Sequence, residues 1–255
     1  MSPSIQLLKD RYLKNIKENP DLYIDIELEF PIVHTKGQPT DIEISKDLLR
    51  FLVNALSLEV EKEDQDGNPI QLVEPASQDR ILFEVSYTTL EFAFGRAQNI
   101  QEVEGRFDAY MKVIQEKLGE KDYAIQGWGI HPNWSQNDNR PVAYPRYQML
   151  MDYLKMGNNQ ESVSLHDFPQ YGAFICGSQV QLDVSKSNYL SVINAFTQIE
   201  VAKLTCLPIR SFREQTGIQE FLEIFFGKSP CMGFIQRMLV SMPDSLKMRM
   251  ISLII

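Results

Sequence analysis

Glu27 and Glu29 sit two residues apart in YIDIELEF, Glu84 and Glu91 lie in LFEVSYTTLEF, and Gln179 and Gln181 lie in GSQVQLDV. On an extended strand, side chains two apart share a face and stand about 6–7 Å from one another. Carboxylates spaced in this way can hold adjacent cations or share one hydration shell. The hard ions Mg²⁺ and Mn²⁺ prefer such oxygen ligands. A sheet face lined by carboxylates and amides is therefore a suitable cradle for a divalent metal and a nucleotide phosphate. A single Glu-x-Glu pair on its own reads as a solvated strand face. The recurrence of acidic and amide side chains in three alternating segments is what raises the signal.

The elements that must carry these residues follow from periodicity. Residues 4–18 read as an amphipathic helix with Ile5, Leu8, Tyr12 and Ile16 on one side, and Asn19-Pro20 stops it. Leu22, Ile24, Ile26, Leu28 and Phe30 share one parity, and Tyr23, Asp25, Glu27 and Glu29 share the other, as in a strand with one buried face. Residues 45–57 return to helix, with Ser45 as N-cap and Leu48, Leu49, Leu52, Ala55 and Leu56 inward. EKEDQDGNP at 61–69 is an exposed turn. Glu84 and Glu91 have opposite parity, so a break near Ser86–Thr88 is needed to put both on one face. Residues 99–118 form a helix opened by an Asn99/Glu102 capping box and closed at Gly119. Its stripe is Val103, Phe107, Met111, Ile114 and Leu118.

A strand near Tyr123–Trp128 leads into the polar loop GIHPNWSQNDNRP and then the helix YPRYQMLMDYLKMG. In the next strand Phe174, Cys176, Ser178, Val180, Leu182 and Val184 should face inward, opposite Gln179, Gln181 and Asp183. A helix from about Ser187 to Leu204 follows. Strands and helices mix without regular βαβ alternation, which predicts an α+β fold with a largely antiparallel sheet.

Other chemistry-bearing residues are fewer. Arg146 opens a helix and could hold a carboxylate or phosphate bidentately. His131 reads as a loop hydrogen-bonder, and His34 and His166 have no partners by spacing. Trp128 and Trp134 read as packing residues, and Cys176 as a buried thiol rather than a nucleophile. The chain has 255 residues, 44% hydrophobic and 23% charged, with net charge −9. That charge argues against a nucleic-acid partner. Three cysteines without metal-ligand spacing suggest a reducing, cytoplasmic setting. Neither a secretory signal nor a membrane span is expected.

These segments together resemble the glutamate–cysteine ligases. YIDIELEFPIV looks like that family's G-x-E-x-E strand, and EVSYTTLEF like its second acidic strand pair. GWGIHPNW followed by RPVAYPRYQMLMDYL is similar to its G-x-x-P loop and R-Y-x-x-M helix, and GSQVQLDVS to its Q-V-N-L-D strand. Order and spacing match from about residue 20 to 204. The resemblance implies a glutamine-synthetase-like catalytic sheet with helices on one face. It also implies ATP-dependent joining of the glutamate γ-carboxylate to the cysteine amine, the first step of glutathione synthesis. By the same resemblance Glu27, Glu29, Glu84 and Glu91 would bind Mg²⁺ or Mn²⁺, Gln179 and Gln181 would join the metal–nucleotide shell, and Arg146 would contact substrate or phosphate. Gln181 stands where the family often has Asn, and Asp25 where it often has Gly. A ligase using another amine, and a non-catalytic remnant, are the alternatives.

The resemblance ends near Lys203–Cys206. From Cys206 onward six basic side chains face four acidic ones, and five Met fall in the last 24 residues. The expected organisation is thus part of a ligase catalytic domain over 1–205, incomplete at its C-terminus, and an atypical tail over 206–255. A reading-frame shift near residue 205 would account for that tail, and the gene's nucleotide sequence tests it.

Overall fold

The computed structural model describes residues 3–14, 16–156 and 170–206. They belong to two compact units: residues 23–181, and residues 1–22 together with 182 onward. The organisation expected beyond residue 206, and His166, lie outside the described residues.

In the larger unit, alternation produces the expected long strand, β1 (Ile24–His34). Helix α2 spans Ile42–Ala55, three residues earlier than the sequence suggested, because Asp41 and not Ser45 caps it, accepting the Glu43 N–H. Ser45 lies inside the helix and is buried, while Ala55 is exposed. The EKEDQDGNP segment supplies the end of β2 (Glu59–Glu63) and the turn into β3 (Pro69–Val73). Its Asp64 is buried and accepts from the Asn68 side chain and backbone and from the Tyr87 hydroxyl. Strands β4 (Arg80–Phe83) and β5 (Thr89–Ala93) are separated by a turn at the predicted break.

Helix α3 (Ile100–Gly119) has Asn99 as its N-cap, accepting the Glu102 N–H. Gly119 is the last helical residue and not a left-handed cap; Asp122 takes the positive φ of 62° before β6 (Tyr123–Ile125). Helix α4 (Pro145–Met156), a short 3-10 turn at Tyr171–Ala173 and β7 (Ser178–Leu182) follow.

The sheet runs β2-β3-β4-β5-β1-β6, with β7 also on β1. The β2–β3, β3–β4, β4–β5, β5–β1 and β1–β6 ladders are all antiparallel. The architecture is therefore α+β, as the mixed element order implied. Register gives each face its character. Leu28 and Phe30 of β1 stand opposite Phe92 and Leu90, which stand opposite Ile81 and Phe83. This apolar face meets Leu48, Leu49 and Leu52 of α2 and Val103, Ile114 and Leu118 of α3 in one core. Phe107 of α3 stacks on Phe30 at 5.6 Å. Each fully buried Leu, Ile or Phe there contributes about 1.5–3 kcal/mol.

The other face carries the polar set, and buried polar bonds fix the segments that flank the strands. Asp79, just before β4, accepts from Arg106 Nη1 (2.5 Å), Tyr110 Oη (2.9 Å) and the Gly95 N–H (2.7 Å). Gly95 is required there, because a Cβ would lie 1.9 Å from the Ser77 carbonyl oxygen. His131 is fully buried, with Nε2 3.0 Å from the Ile32 carbonyl and 3.2 Å from Thr40 Oγ1. Burial holds its pKa below the usual histidine value, so it is the loop hydrogen-bonder the sequence suggested. Trp134 stacks on Phe174, whereas Trp128 is 40% exposed and does not belong to the core.

Strand β7 departs from expectation. Phe174 and Cys176, ahead of it, are buried, but the strand is exposed along its length, with Val180 at 56% and Leu182 at 42%. Alternation marked an inward face, but β7 lies along β1 with no covering layer among the described residues.

In the smaller unit, α1 (Pro3–Tyr12) ends before Ile16 and buries no residue, so the apolar stripe read from the sequence is not packed. Lys17 pairs with Ser185 as an isolated bridge, and Lys186 Nζ meets Glu18 at 2.8 Å. Helix α5 spans Tyr189–Cys206. No helix among the described residues is long and apolar enough to cross a membrane.

Candidate functional site

The carboxylates meet because of register. Glu29 of β1 stands directly opposite Glu91 of β5, and Glu27 stands opposite Ala93 in the next row on the same face. Like charges directly opposed on a sheet destabilise it, and here they are also removed from water: Glu91 is only 8% exposed. Glu84 joins them from the β4–β5 turn, whose backbone N–H bonds to the Thr89 carbonyl at 3.2 Å. The break between the strands reverses the chain, so two glutamates of opposite parity reach one place.

The electrostatics record this crowding. Burial first, then the Glu84, Glu29 and Glu27 charges, push the Glu91 pKa up to about 8. Burial also raises Glu29 to about 7, against the lowering effect of the Gly177 N–H and with further repulsion from Glu84 and Glu27. Glu84 is raised by burial, opposed by the Tyr147 hydroxyl, Arg146 and Lys62. All four predicted glutamates are therefore within electrostatic reach of one another.

Arg146, the second residue of α4, acts on both Glu84 and Glu91 and is itself exposed. Its neighbour Tyr147 is buried, and its hydroxyl donates to Glu84 Oε2 (2.7 Å) and to the Phe83 carbonyl (3.0 Å). Helix α4 thus serves the carboxylates, unlike α2 and α3 on the opposite face. Gly177, just before β7, clasps Glu29 twice: its N–H donates to Oε2 at 2.7 Å, and its carbonyl accepts the Glu29 N–H at 2.9 Å. Gln179 and Gln181 follow on β7, both exposed. Cys176 is buried and its thiol is pushed far up by burial and by Glu29. That agrees with a buried thiol rather than a nucleophile.

Three contributors escaped sequence reasoning. Tyr147 was marked only by its place beside Arg146. Lys62 and Gln71 were hidden by the irregular β2–β3 register around Lys62. Gln71 lies in the cross-strand row of Leu82 and Glu91. Its amide oxygen accepts from Lys62 Nζ at 2.7 Å, its amide nitrogen donates to Glu61, and Glu61 holds Arg80 at 2.8 and 3.1 Å. The aliphatic alternation of β2 is too weak to have announced this network.

Among the described residues no three Asp, Glu, His or Cys side chains are gathered tightly enough to hold a metal ion as they stand. The donor set nevertheless suits a hard cation: four carboxylates, mutually repelling and partly desolvated, with Arg146 and Lys62 acting against that charge among the described residues. Bringing their oxygens onto an ion requires side-chain rotation within the cluster.

Tyr147→Phe tests how this cluster is held. It removes both bonds to Glu84 and Phe83, and the expected cost is about 1–2 kcal/mol in urea unfolding. An unchanged midpoint would show that the hydroxyl holds nothing in place.

Residues 24–202 match the family described as glutamate-cysteine ligase family 2. No curated protein matches the chain.

Proposed function

The chain belongs to glutamate-cysteine ligase family 2, and from that membership we propose that it binds ATP, glutamate and cysteine and joins the glutamate γ-carboxylate to the cysteine amine. The observation that supports this reading most is the opposed Glu29–Glu91 pair with Glu27 and Glu84 alongside. A folded chain keeps so unfavourable a cluster where a cation is to be held. In this reading the sheet is the glutamine-synthetase-like catalytic sheet of the family resemblance.

Phosphoryl transfer from ATP to the γ-carboxylate forms an acyl phosphate and releases ADP. Attack of the amine nitrogen on the acyl carbon then forms the amide, expels phosphate and gives up a proton. Mg²⁺ or Mn²⁺ held by Glu27, Glu29, Glu84 and Glu91 would neutralise phosphate charge during this exchange. Arg146, at the exposed rim of the cluster, is placed to take a substrate carboxylate or phosphate oxygen. Tyr147 orients Glu84, and the Gly177 N–H orients Glu29. Gln179 and Gln181 project from the strand beside β1, where amides would serve the metal–nucleotide shell.

The small number of cations at the cluster among the described residues supports a second reading. Phosphoryl transfer needs the charge spread over the transferring oxygens to be matched, and among the described residues Arg146 and Lys62 act on the cluster. In this reading the chain binds nucleotide and glutamate without turning them over.

Purified protein with ATP, Mg²⁺, glutamate and a panel of amines decides between these, scored by phosphate release. Cysteine-dependent release supports the ligase, release with another amine supports a different carboxylate–amine ligase, and binding without release supports the remnant. Glu27→Gln should lower turnover by at least about a hundredfold, since loss of even an outer partner of a bound metal costs 10–100-fold. Undiminished turnover in that variant removes Glu27 from the metal set.

A further inference from the structure

The EKEDQDGNP turn does more than join β2 to β3. Its buried Asp64 carboxylate is engaged on both oxygens. Oδ1 accepts the Asp66 and Asn68 backbone N–H groups, each at 2.9 Å, and the Asn68 side chain at 3.0 Å. Oδ2 accepts the Asn68 side chain at 2.9 Å and the Tyr87 hydroxyl at 2.7 Å. Burial acts to raise the Asp64 pKa, but these bonds outweigh it and hold it below the ordinary carboxylate value. The carboxylate is therefore ionised at neutral pH, and its bond from Tyr87 is charge-assisted. The Tyr87 hydroxyl in turn accepts the Ala143 N–H at 3.2 Å. The Gln65 N–H of the same turn donates to the Ala143 carbonyl at 3.1 Å, and the Val142 N–H donates to the Val85 carbonyl at 2.9 Å.

Ala143 stands two residues before Pro145, which opens α4. Both of its backbone polar groups are thus tied to the β2–β3 turn, directly through Gln65 and indirectly through Tyr87. Tyr144 follows, and tyrosine is not among the residues whose side chains cap a helix. The pinned Ala143 peptide takes that place in fixing where α4 begins. Arg146 and Tyr147 lie in the first turn of α4, and the Tyr147 hydroxyl reaches Glu84 at 2.7 Å. The Tyr87 ring is held without its hydroxyl. It is buried edge-on to Phe83 at 5.4 Å, with Lys46 Nζ 5.0 Å from its centre. Packing therefore accounts for the ring, and the two bonds of the hydroxyl serve the segment that leads into α4.

We propose that Asp64 and the Tyr87 hydroxyl are positioning residues for the carboxylate cluster, latching the start of α4 so that Tyr147 meets Glu84 and Arg146 stands at the rim. Neither residue bonds to a cluster carboxylate; both act through α4. The proposal rests on the ligase reading, in which Glu84 is a metal ligand and Tyr147 its outer partner. Losing such a partner costs a metal site about 10–100-fold in affinity, so loosening the helix that carries Tyr147 should be felt at the metal. The latch also gives a function to EKEDQDGNP, a segment on which the family resemblance did not draw.

Two measurements on the full chain test the latch: Mn²⁺ affinity, and amide hydrogen exchange at Tyr147 and Gln148, whose N–H groups bond to the Tyr144 carbonyl. Tyr110→Phe is the matched control, since it too removes a buried hydroxyl bonded to an aspartate, Asp79. Tyr87→Phe should weaken Mn²⁺ by about tenfold and quicken exchange at the two amides by about tenfold. Asp64→Asn should shift both in the same direction. The Tyr87→Phe/Tyr147→Phe double variant should bind Mn²⁺ no more weakly than Tyr147→Phe alone, because both changes break one chain of contacts. Tyr110→Phe should leave Mn²⁺ affinity and these amides as in the wild type. Equal effects of Tyr87→Phe and Tyr110→Phe, or a double variant showing the product of the two single losses, would reduce Tyr87 to a structural residue and overturn the proposal. If the wild type binds Mn²⁺ and Tyr87→Phe alters neither affinity nor exchange, the latch is overturned and the ligase reading remains. If the wild type binds no Mn²⁺, the metal site of the ligase reading fails. The latch then stands where Tyr87→Phe, unlike Tyr110→Phe, quickens exchange at Tyr147 and Gln148, and is overturned where it does not.

Discussion

Replacing Glu91 by glutamine should make the metal-free protein more stable at pH 8 while destroying its proposed activity. Glu91 is 8% exposed and faces Glu29 across the β1–β5 ladder. Burial and three neighbouring carboxylates raise its pKa from 4.5 to about 8. A carboxyl raised in the folded state binds its proton more tightly there than in the unfolded chain. Its contribution is therefore harmless below the unfolded value, near pH 4.5, grows more destabilising as pH climbs from there, and levels off above about 8. Glutamine keeps the shape and abolishes the charge. The expected gain is of order 1–3 kcal/mol at pH 8, after discounting the roughly 1.4 kcal/mol per pKa unit for relaxation of coupled carboxylates. It should shrink toward zero near pH 5. Urea midpoints at the two pH values measure this, with turnover measured in parallel. A variant no more stable than wild type at pH 8, or equally stabilised at both, would mean that the cluster is not strained by charge.

This conflict between stability and chemistry explains what the sequence showed and what it hid. Alternation in YIDIELEF displayed one face of β1 because each residue's parity decides its side. The opposite parity of Glu84 and Glu91 demanded a break, and the chain turns between Phe83 and Thr89. Asn99 and Glu102 announced the start of α3 because a cap is a local bond between neighbours. Features set by distant partners were not legible. Gln71 joins the polar face only through cross-strand pairing with an irregular β2. Tyr147 matters because a helix more than sixty residues away carries it to Glu84. The preference for Asp41 over Ser45 as cap turned on which residue precedes the first helical turn, where helical spacing gives little guidance. On β7 the alternation of Val180 and Leu182 suggested burial, but alternation reports a pleat and not the presence of a layer to cover it.

Adding Mg²⁺ to the metal-free protein should release protons, and this is the most direct consequence of the proposed site. Near neutral pH, Glu29 and Glu91, with pKa values of about 7 and about 8, hold protons for much of the time. A divalent cation binds carboxylates only in their ionised form, so its binding must displace those protons. Titration calorimetry in buffers of different ionisation enthalpy reads the number released. The expected value approaches about two per chain near pH 6 and falls toward zero above about pH 9, where both groups are already ionised. The sign of the stability change reverses with the metal. The metal-free protein loses stability between about pH 5 and pH 8, while the Mg²⁺-loaded protein gains it, because the cation binds the folded state alone and offsets the repulsion there. Glu91→Gln should abolish one of the two released protons and most of the thermal shift produced by Mg²⁺. Binding without proton release would place the cation elsewhere on the molecule. No binding at millimolar Mg²⁺ or Mn²⁺, with the cluster intact, would mean that the four carboxylates do not act as a metal site in this chain.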